Sequence, residues 1–230
     1  MSKDLTICSV SYKSEHYLDL NYSIIKKNNS TFKEWIVVDN AKENKLSKEK
    51  YNVIQGEDLP SKTGKLVNKH SLHHALGLNK SIEKVNTKYV LFLDPDFYIN
   101  VNLNNCIRYM MNLGLDFFGS PYFNDGKNRP VKDFPVAFCM FVDCEKINIK
   151  DFDFTPELDN DKEWADTGIK IYKKYQPICN YEITMPYGRK YGFDKYWFEG
   201  ELFGLHCRMK SHLNDRFNKH VDFIKKAFGI

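Results

Sequence analysis

The sequence predicts an α/β protein with a mostly parallel sheet and helices on both faces. Three observations predict it. Short runs rich in β-branched and aromatic residues, LTICSVS (5–11), EWIVVDN (34–40), YNVIQ (51–55) and TKYVLFLD (87–94), recur through the first hundred residues. The strongest of them are apolar on both faces, as strands of a doubly covered sheet are. Segments of helical spacing separate them.

Taken in order, LTICSVS is the first strand. Ser14 then stands where a helix cap belongs, and Tyr17, Leu20 (or Leu18), Ile24 and Ile25 follow at helical spacing. EWIVVDN is a buried strand that ends on Asp39, and YNVIQ is a shorter one. After the turn-rich GEDLPSKTG, a long helix is expected from about Leu66 to Val85, and TKYVLFLD is the fourth strand. His73 and His74 lie within that helix, where neighbours diverge by ~100°, so the two are not expected to serve one site.

The second half is less regular. LNNCIRYMMNLG and KEWADTGIKIYKKY read as helices, and DFFGSPYF, FPVAFCMFVD, PICNYEIT and LFGLHC as strands. MPYGRKYGFDKYWFEG, rich in Gly and rings, reads as a loop. HLNDRFNKHVDFIKKAFGI closes the sequence as an amphipathic helix with Phe217, Val221, Ile224 and Phe228 at helical spacing, suited to docking on the body more than to peripheral membrane contact. No composition shift marks a second domain in the 230 residues.

Composition narrows the function. A net charge of +4 suits an anionic substrate and is far below that of a non-specific nucleic-acid binder. No stretch approaches the ~20 apolar residues of a spanning helix, and MSKDLTICSVSYKS lacks the layout of a signal peptide. The six cysteines form no C-x-x-C pair, which argues for reduced thiols; a cytoplasmic location is the expectation.

The strand TKYVLFLD runs straight into Asp94-Pro95-Asp96. In extended chain, side chains at i and i+2 point the same way, so the two carboxylates can converge. Such a pair repels unless a cation sits beside it. A hard divalent ion, Mn²⁺ or Mg²⁺, takes oxygen ligands of this kind together with substrate phosphates. D-P-D alone reads equally well as a polar turn. Its position matters: ligands of parallel sheets sit outside the carboxyl ends of the strands, and Asp39 and Asp94 both fall at such ends, so they are expected to face one crevice.

LTICSVSYKSEHYLDLNYSI, EWIVVDNAKE, ALGLNKSIEK and YVLFLDPDF, in this order and spacing over about residues 5 to 100, resemble the nucleotide-sugar half of family-2 glycosyltransferases of the GT-A fold. The resemblance implies a Rossmann-like nucleotide-diphospho-sugar transferase: residues 1 to about 100 would bind the donor, a UDP or GDP sugar, and the rest would bind the acceptor, an unspecified glycan, lipid or protein. It implies a D-x-D motif in which Asp96 holds the metal and Asp94 commonly faces the ribose, with a base or ribose contact from Asp39. Ser9, Ser11 and Tyr12 stand where hydroxyls and amides can read the nucleobase, and Asn79 matches an Asn often found in the family's helix before the motif. His206, after a strand, is a candidate third metal ligand and would favour Mn²⁺.

An inverting transferase needs a base for the acceptor hydroxyl. In the family this is an acid opening a helix of the second half; here Asp166, then Glu163, are the candidates. Trp164 interrupts the acidic pattern, and Asp166 equally suits a first helical turn. Arg189 and Lys190, among the rings of MPYGRKYGFDKYWFEG, are expected to meet the diphosphate from a lid that orders on donor binding. Two alternatives stay open: a nucleotidyltransferase that makes nucleotide sugars, against which the glycine-free CSVSYKSEHY counts, and a catalytically silent carbohydrate-binding or scaffold protein.

Overall fold

The parallel core is formed by β1 (Leu5–Ser11), β2 (Glu34–Asp39), β3 (Asn52–Gln55) and β4 (Tyr89–Leu93). It extends through β7 (Cys139–Asp143), β6 (Phe117–Gly119) and β8 (Tyr181–Ile183) into a seven-stranded sheet of order β3-β2-β1-β4-β7-β6-β8. Only the β4–β7 and β6–β7 pairings are antiparallel. The structure, a computed structural model, describes residues 4–59, 69–123, 131, 133–157, 167–190, 192–207 and 214–230.

Residue parity shows which helix covers which face, because successive strand residues point to opposite sides. On β1 the even positions face α2 (Lys69–Ile82): Cys8 meets Ser81, and Val10 lies against Gly77. The odd position Ser9 faces the other way, accepting a hydrogen bond from Trp35 Nε1 at 2.9 Å, and Trp35 stacks on Tyr22 of α1 (Glu15–Lys27). The α/β class and the helices on both faces are as expected. α3 (Leu103–Leu113) follows, capped by Asn102 at its start and by Gly114 in the left-handed region (φ 63°) at its end. The described helical part of KEWADTGIKIYKKY is α4 (Ile169–Tyr175).

A second sheet was not expected. β5 (Phe97–Ile99), β11 (Glu201–Cys207), β10 (Phe193–Phe198) and β9 (Met185–Lys190) form a four-stranded antiparallel sheet in the order β5-β11-β10-β9. The loop reading of MPYGRKYGFDKYWFEG is therefore corrected: it carries the antiparallel strands β9 and β10, and Phe193 and Tyr196 are fully buried core residues. Its glycines gave it the look of a loop; Gly192 and Gly200, at φ 86° and 82°, in fact mark the turns at the two ends of β10.

One face of this sheet packs on the main core through Phe97 and Phe203. The other is covered by Tyr17, Leu20 and Ile24 of α1 and by Ile224 and Phe228 of α5 (Asn214–Phe228). Lys27 Nζ also donates to the carbonyls of Phe228 and Gly229, so the docking of the last helix is shared between apolar burial and a helix C-terminus meeting a cation. No helix among the described residues is long and apolar enough to cross a membrane. All six cysteines are free; burial pushes the Cys8 and Cys106 thiols up to about 12, which keeps them protonated and unreactive.

Candidate functional site

At the carboxyl ends of β1, β2 and β4, on the α2 side of the sheet, lies a cleft of ≈ 520 Å³. Parity accounts for its walls. Val10 and Tyr12 on the β1 line, Asn40 after β2 and Asp94 after β4 all share the side that faces α2, and all line it.

The corner after β4 is built tightly. Asp94 N donates to Phe138 O at 3.0 Å, continuing the β4–β7 ladder by one residue. Phe97 N donates back to Asp94 O at 3.1 Å, which closes a turn around Pro95 and Asp96, and β5 leaves at once to pair with β11. Cys207 N then donates to Asp96 O at 2.8 Å. The two aspartates are thus held by strands of both sheets.

His206 of β11 joins them. One ligand atom from each of Asp94, Asp96 and His206 falls within 4.8 Å of the others. His206 Nε2 is 3.6 Å from Asp96 Oδ1, and His74 Nε2 of α2 is 3.0 Å from Asp94 Oδ1. The two carboxyls feel opposite fields. Burial pushes Asp94 up, but His74, with His206 beyond, outweighs it and holds Asp94 below the usual carboxylate range. Burial pushes Asp96 up as well, the like charge of Asp94 adds to it, and His206 offsets only part. An acid pushed upward beside an anionic neighbour is a place where a cation relieves repulsion. Two carboxylates and an imidazole fit a divalent ion.

The other site candidates divide. Tyr12 lines the cleft, 45% exposed, with its ring edge-on to His73 at 6.2 Å. Ser9 is removed from nucleobase reading. It is fully buried, its hydroxyl donates to Leu93 O at 2.6 Å, and it accepts from Trp35. Ser11 is buried and its hydroxyl is within 3.0 Å of that of Ser14 at the start of α1.

Asp39 is buried on the opposite parity, and its Oδ1 accepts from Ala41 N and Lys42 N at 3.0 and 3.2 Å, an Asx turn. It does not line the cleft with Asp94; Asn40 does, with Nδ2 donating to His73 O at 2.9 Å. Asn79 lies outside the cleft wall, accepting from Phe154 N at 3.0 Å and donating to Asp153 Oδ1 at 3.4 Å, so it ties down the 152–155 loop.

Arg189 Nε is 2.7 Å from Asp194, a fully buried acid opposite His206 in the β10–β11 register, and its guanidinium lies over Phe123. The Lys190 side chain lies outside the described residues, as do Asp166 and Glu163.

Sequence reasoning missed the α2 wall. Lys69, His70, His73 and His74 all line the cleft, so the expectation that His73 and His74 are separate from one site is corrected. Their divergence sends His74 to Asp94 and His73 to Glu57 O at 3.0 Å, on two parts of a cleft wide enough for both. The available signal was His70 and His74 at i, i+4, one turn before Gly77, whose close approach to Val10 sets that face against the sheet.

No family model matches the chain, and no curated protein matches it. Solved structures do. TarS from S. aureus in complex with UDP is similar at 17% identity, over 69% of this chain and 52% of that one, with a TM-score of 0.46. The mannosyltransferase PcManGT from Pyrobaculum calidifontis, in complex with GDP-Man and Mn²⁺, is similar at 13% identity over 78% and 54%, with a TM-score of 0.48. A197 from STIV is similar at 11% identity over 90% and 98%, with a TM-score of 0.44. The chain spans about half or less of the TarS chains it matches, between 30% and 52%. The likeness is one of chain path.

Proposed function

We propose that this protein is a metal-dependent glycosyltransferase of the GT-A fold that moves a sugar from a UDP or GDP sugar to a hydroxyl of a glycan, lipid or protein. The observation that carries the reading is the cluster of Asp94, Asp96 and His206 within 4.8 Å at the edge of the cleft. The sequence resemblance over residues 5 to 100 supports it from a separate direction.

Asp96 and His206, with Asp94 beside them, would hold the ion, and the mixed oxygen and nitrogen set favours Mn²⁺ over Mg²⁺. When bound, such an ion supplies charge neutralisation for a departing nucleoside diphosphate. The remaining work belongs to the chain. His74 keeps Asp94 ionised and oriented. Lys69 and His70, on the first described turn of α2, give the cleft wall a cationic and a polar side chain suited to an anionic donor. Tyr12 flanks the nucleoside end with an exposed ring, and Asn40, which lines the cleft directly after β2, takes the place expected of Asp39.

The acceptor oxygen bonds to the anomeric carbon as the carbon–diphosphate bond breaks, and the acceptor's proton passes to the base. Attack opposite the leaving group inverts that carbon. Asp166 is the assigned base and Glu163 the second candidate.

Isothermal titration with UDP- and GDP-sugars, with and without Mn²⁺, tests the reading. Metal-dependent nucleotide binding that Asp96→Ala abolishes is the expected result. No nucleotide binding under any condition overturns it in favour of a sugar-binding or scaffold protein. Pyrophosphate release from a nucleoside triphosphate and a sugar phosphate overturns it in favour of a nucleotidyltransferase.

A further inference from the structure

We propose that Phe138 is a positioning residue for the candidate cation site, holding Asp94 through its backbone and His206 through its ring. The proposal rests on reading Asp94, Asp96 and His206 as a cation site.

A histidine that ligates a metal is normally oriented by a hydrogen bond from its second ring nitrogen. His206 departs from this. Its Nε2 is turned toward Asp96, while its Nδ1 is buried with no hydrogen-bond partner among the described residues. Something else must fix the imidazole plane, because a ring free to rotate would not keep a nitrogen at the corner.

The structure supplies rings. Phe138 lies against His206 with centroids 4.3 Å apart and planes inclined by 31°, the tightest ring contact His206 makes among the described residues. Phe97 contacts the same imidazole at 5.8 Å, and Phe138 and Phe97 stack on each other at 5.4 Å and 21°. The imidazole therefore packs on a stacked aromatic pair, and Phe138 supplies its nearest ring surface.

The same residue secures the aspartate turn. Phe138 O accepts from Asp94 N at 3.0 Å, and Phe97, its stacking partner, is the residue directly after Asp96. Phe138 is itself immobilised: it is only 4% exposed, and the bond from Cys139 N to Val136 O at 2.9 Å fixes the turn that carries it into β7. One residue, by its carbonyl and its ring, thus touches candidate ligands from two different sheets.

The test uses MnCl₂ alone, without any sugar nucleotide, and the whole chain. Phe138→Leu keeps the carbonyl and most of the apolar volume but removes the ring plane; Phe138→Tyr restores it. Loss of an orienting partner typically costs about 10-fold or more in metal affinity, so Phe138→Leu is expected to raise the Mn²⁺ Kd about tenfold. Phe138→Tyr is expected to stay within about twofold of wild type. NMR of the metal-free protein gives an independent readout: the His206 ring protons carry an upfield displacement from the stacked ring in wild type and Phe138→Tyr, and lose it in Phe138→Leu.

Unchanged Mn²⁺ affinity in Phe138→Leu, or unchanged His206 signals, overturns the proposal. Wild-type protein that takes up no Mn²⁺ is a separate outcome: it overturns the cation-site reading and the proposal with it. If Phe138→Leu does not fold, Phe138→Met, which fills more of the space the ring leaves, makes the same comparison.

Discussion

His74 Nε2 lies 3.0 Å from Asp94 Oδ1, joining the middle of α2 to the end of β4. Both side chains are about three-quarters buried, at 23% and 25% exposed, so the attraction is less screened than on a surface. This contact is why two neighbouring carboxyls shift in opposite directions. His74→Gln removes the imidazole and keeps an amide of similar reach. The carboxyl of Asp94 is then expected to titrate at higher pH, because burial loses its counterweight. Carbon-13 carboxyl NMR over an acid titration checks this; an unmoved Asp94 signal would show that His74 does not set its charge.

The raised carboxyl of Asp96 yields a prediction of opposite sign for stability and for binding. A group whose folded pKa lies above its unfolded value is destabilising once pH rises past that folded pKa. Asp96→Asn is therefore expected to raise the Tm of the metal-free protein at neutral pH while abolishing stabilisation by Mn²⁺. In wild type, protons compete with the cation at this carboxyl, so Mn²⁺ affinity should fall as pH drops through the raised Asp96 pKa. Thermal melts with and without Mn²⁺ at several pH values measure both effects. A variant that is less stable without metal would contradict the assigned strain.

Away from the cleft, Lys170 Nζ sits 2.5 Å from Asp153 Oδ2. Burial works against the Asp153 charge, but Lys170 and Thr155 overcome it and bring the carboxyl from 3.8 to about 2. A depressed carboxyl adds stability above its unfolded pKa and loses it as pH falls through the folded one. With Asp153 45% exposed, solvent screening reduces the effect to about 1 kcal/mol. Asp153→Asn is expected to cost that much in urea unfolding at neutral pH, and the difference should shrink between pH 3.8 and about 2.

Gly77→Ala sets two effects against each other. Replacing Gly by Ala within a helix gains up to about 1 kcal/mol. The added Cβ would meet both Val10 methyls at 2.8 Å, however, and overpacking of this kind costs about 1–3 kcal/mol. The net change is expected to be a loss of roughly 1 kcal/mol, recovered by Val10→Ala in the same chain. A stabilised single variant would mean that α2 can ride outward from β1 without cost.

The first hundred residues were legible because local signals and tertiary context agree there. All four strands of the parallel core occur where the apolar runs lie, and Asp94 and Asp96 stand together where β4 ends. The failures have physical causes. β5 is three residues long and begins immediately after Asp96, too short for any periodicity. The β9–β10 hairpin contains Gly188 and a register shift, so its alternation of buried and exposed rings is broken in the sequence. His74 could not be placed without the rotation of α2 about its axis, which depends on the contact of Gly77 with Val10. Ser9 looked like a strand-end hydroxyl, yet one turn of the pleat directs it to Trp35.

The corner that gathers Asp94, Asp96 and His206 draws on chain segments from both architectural layers, stitched by the Cys207–Asp96 backbone bond. A cation lodged there would behave as a rivet, fastening the seven-stranded layer to the layer that α5 backs. Chelation should accordingly be felt at a distance, as faster amide exchange along β11, and occupancy of one small ion would govern how firmly the C-terminal third stays seated.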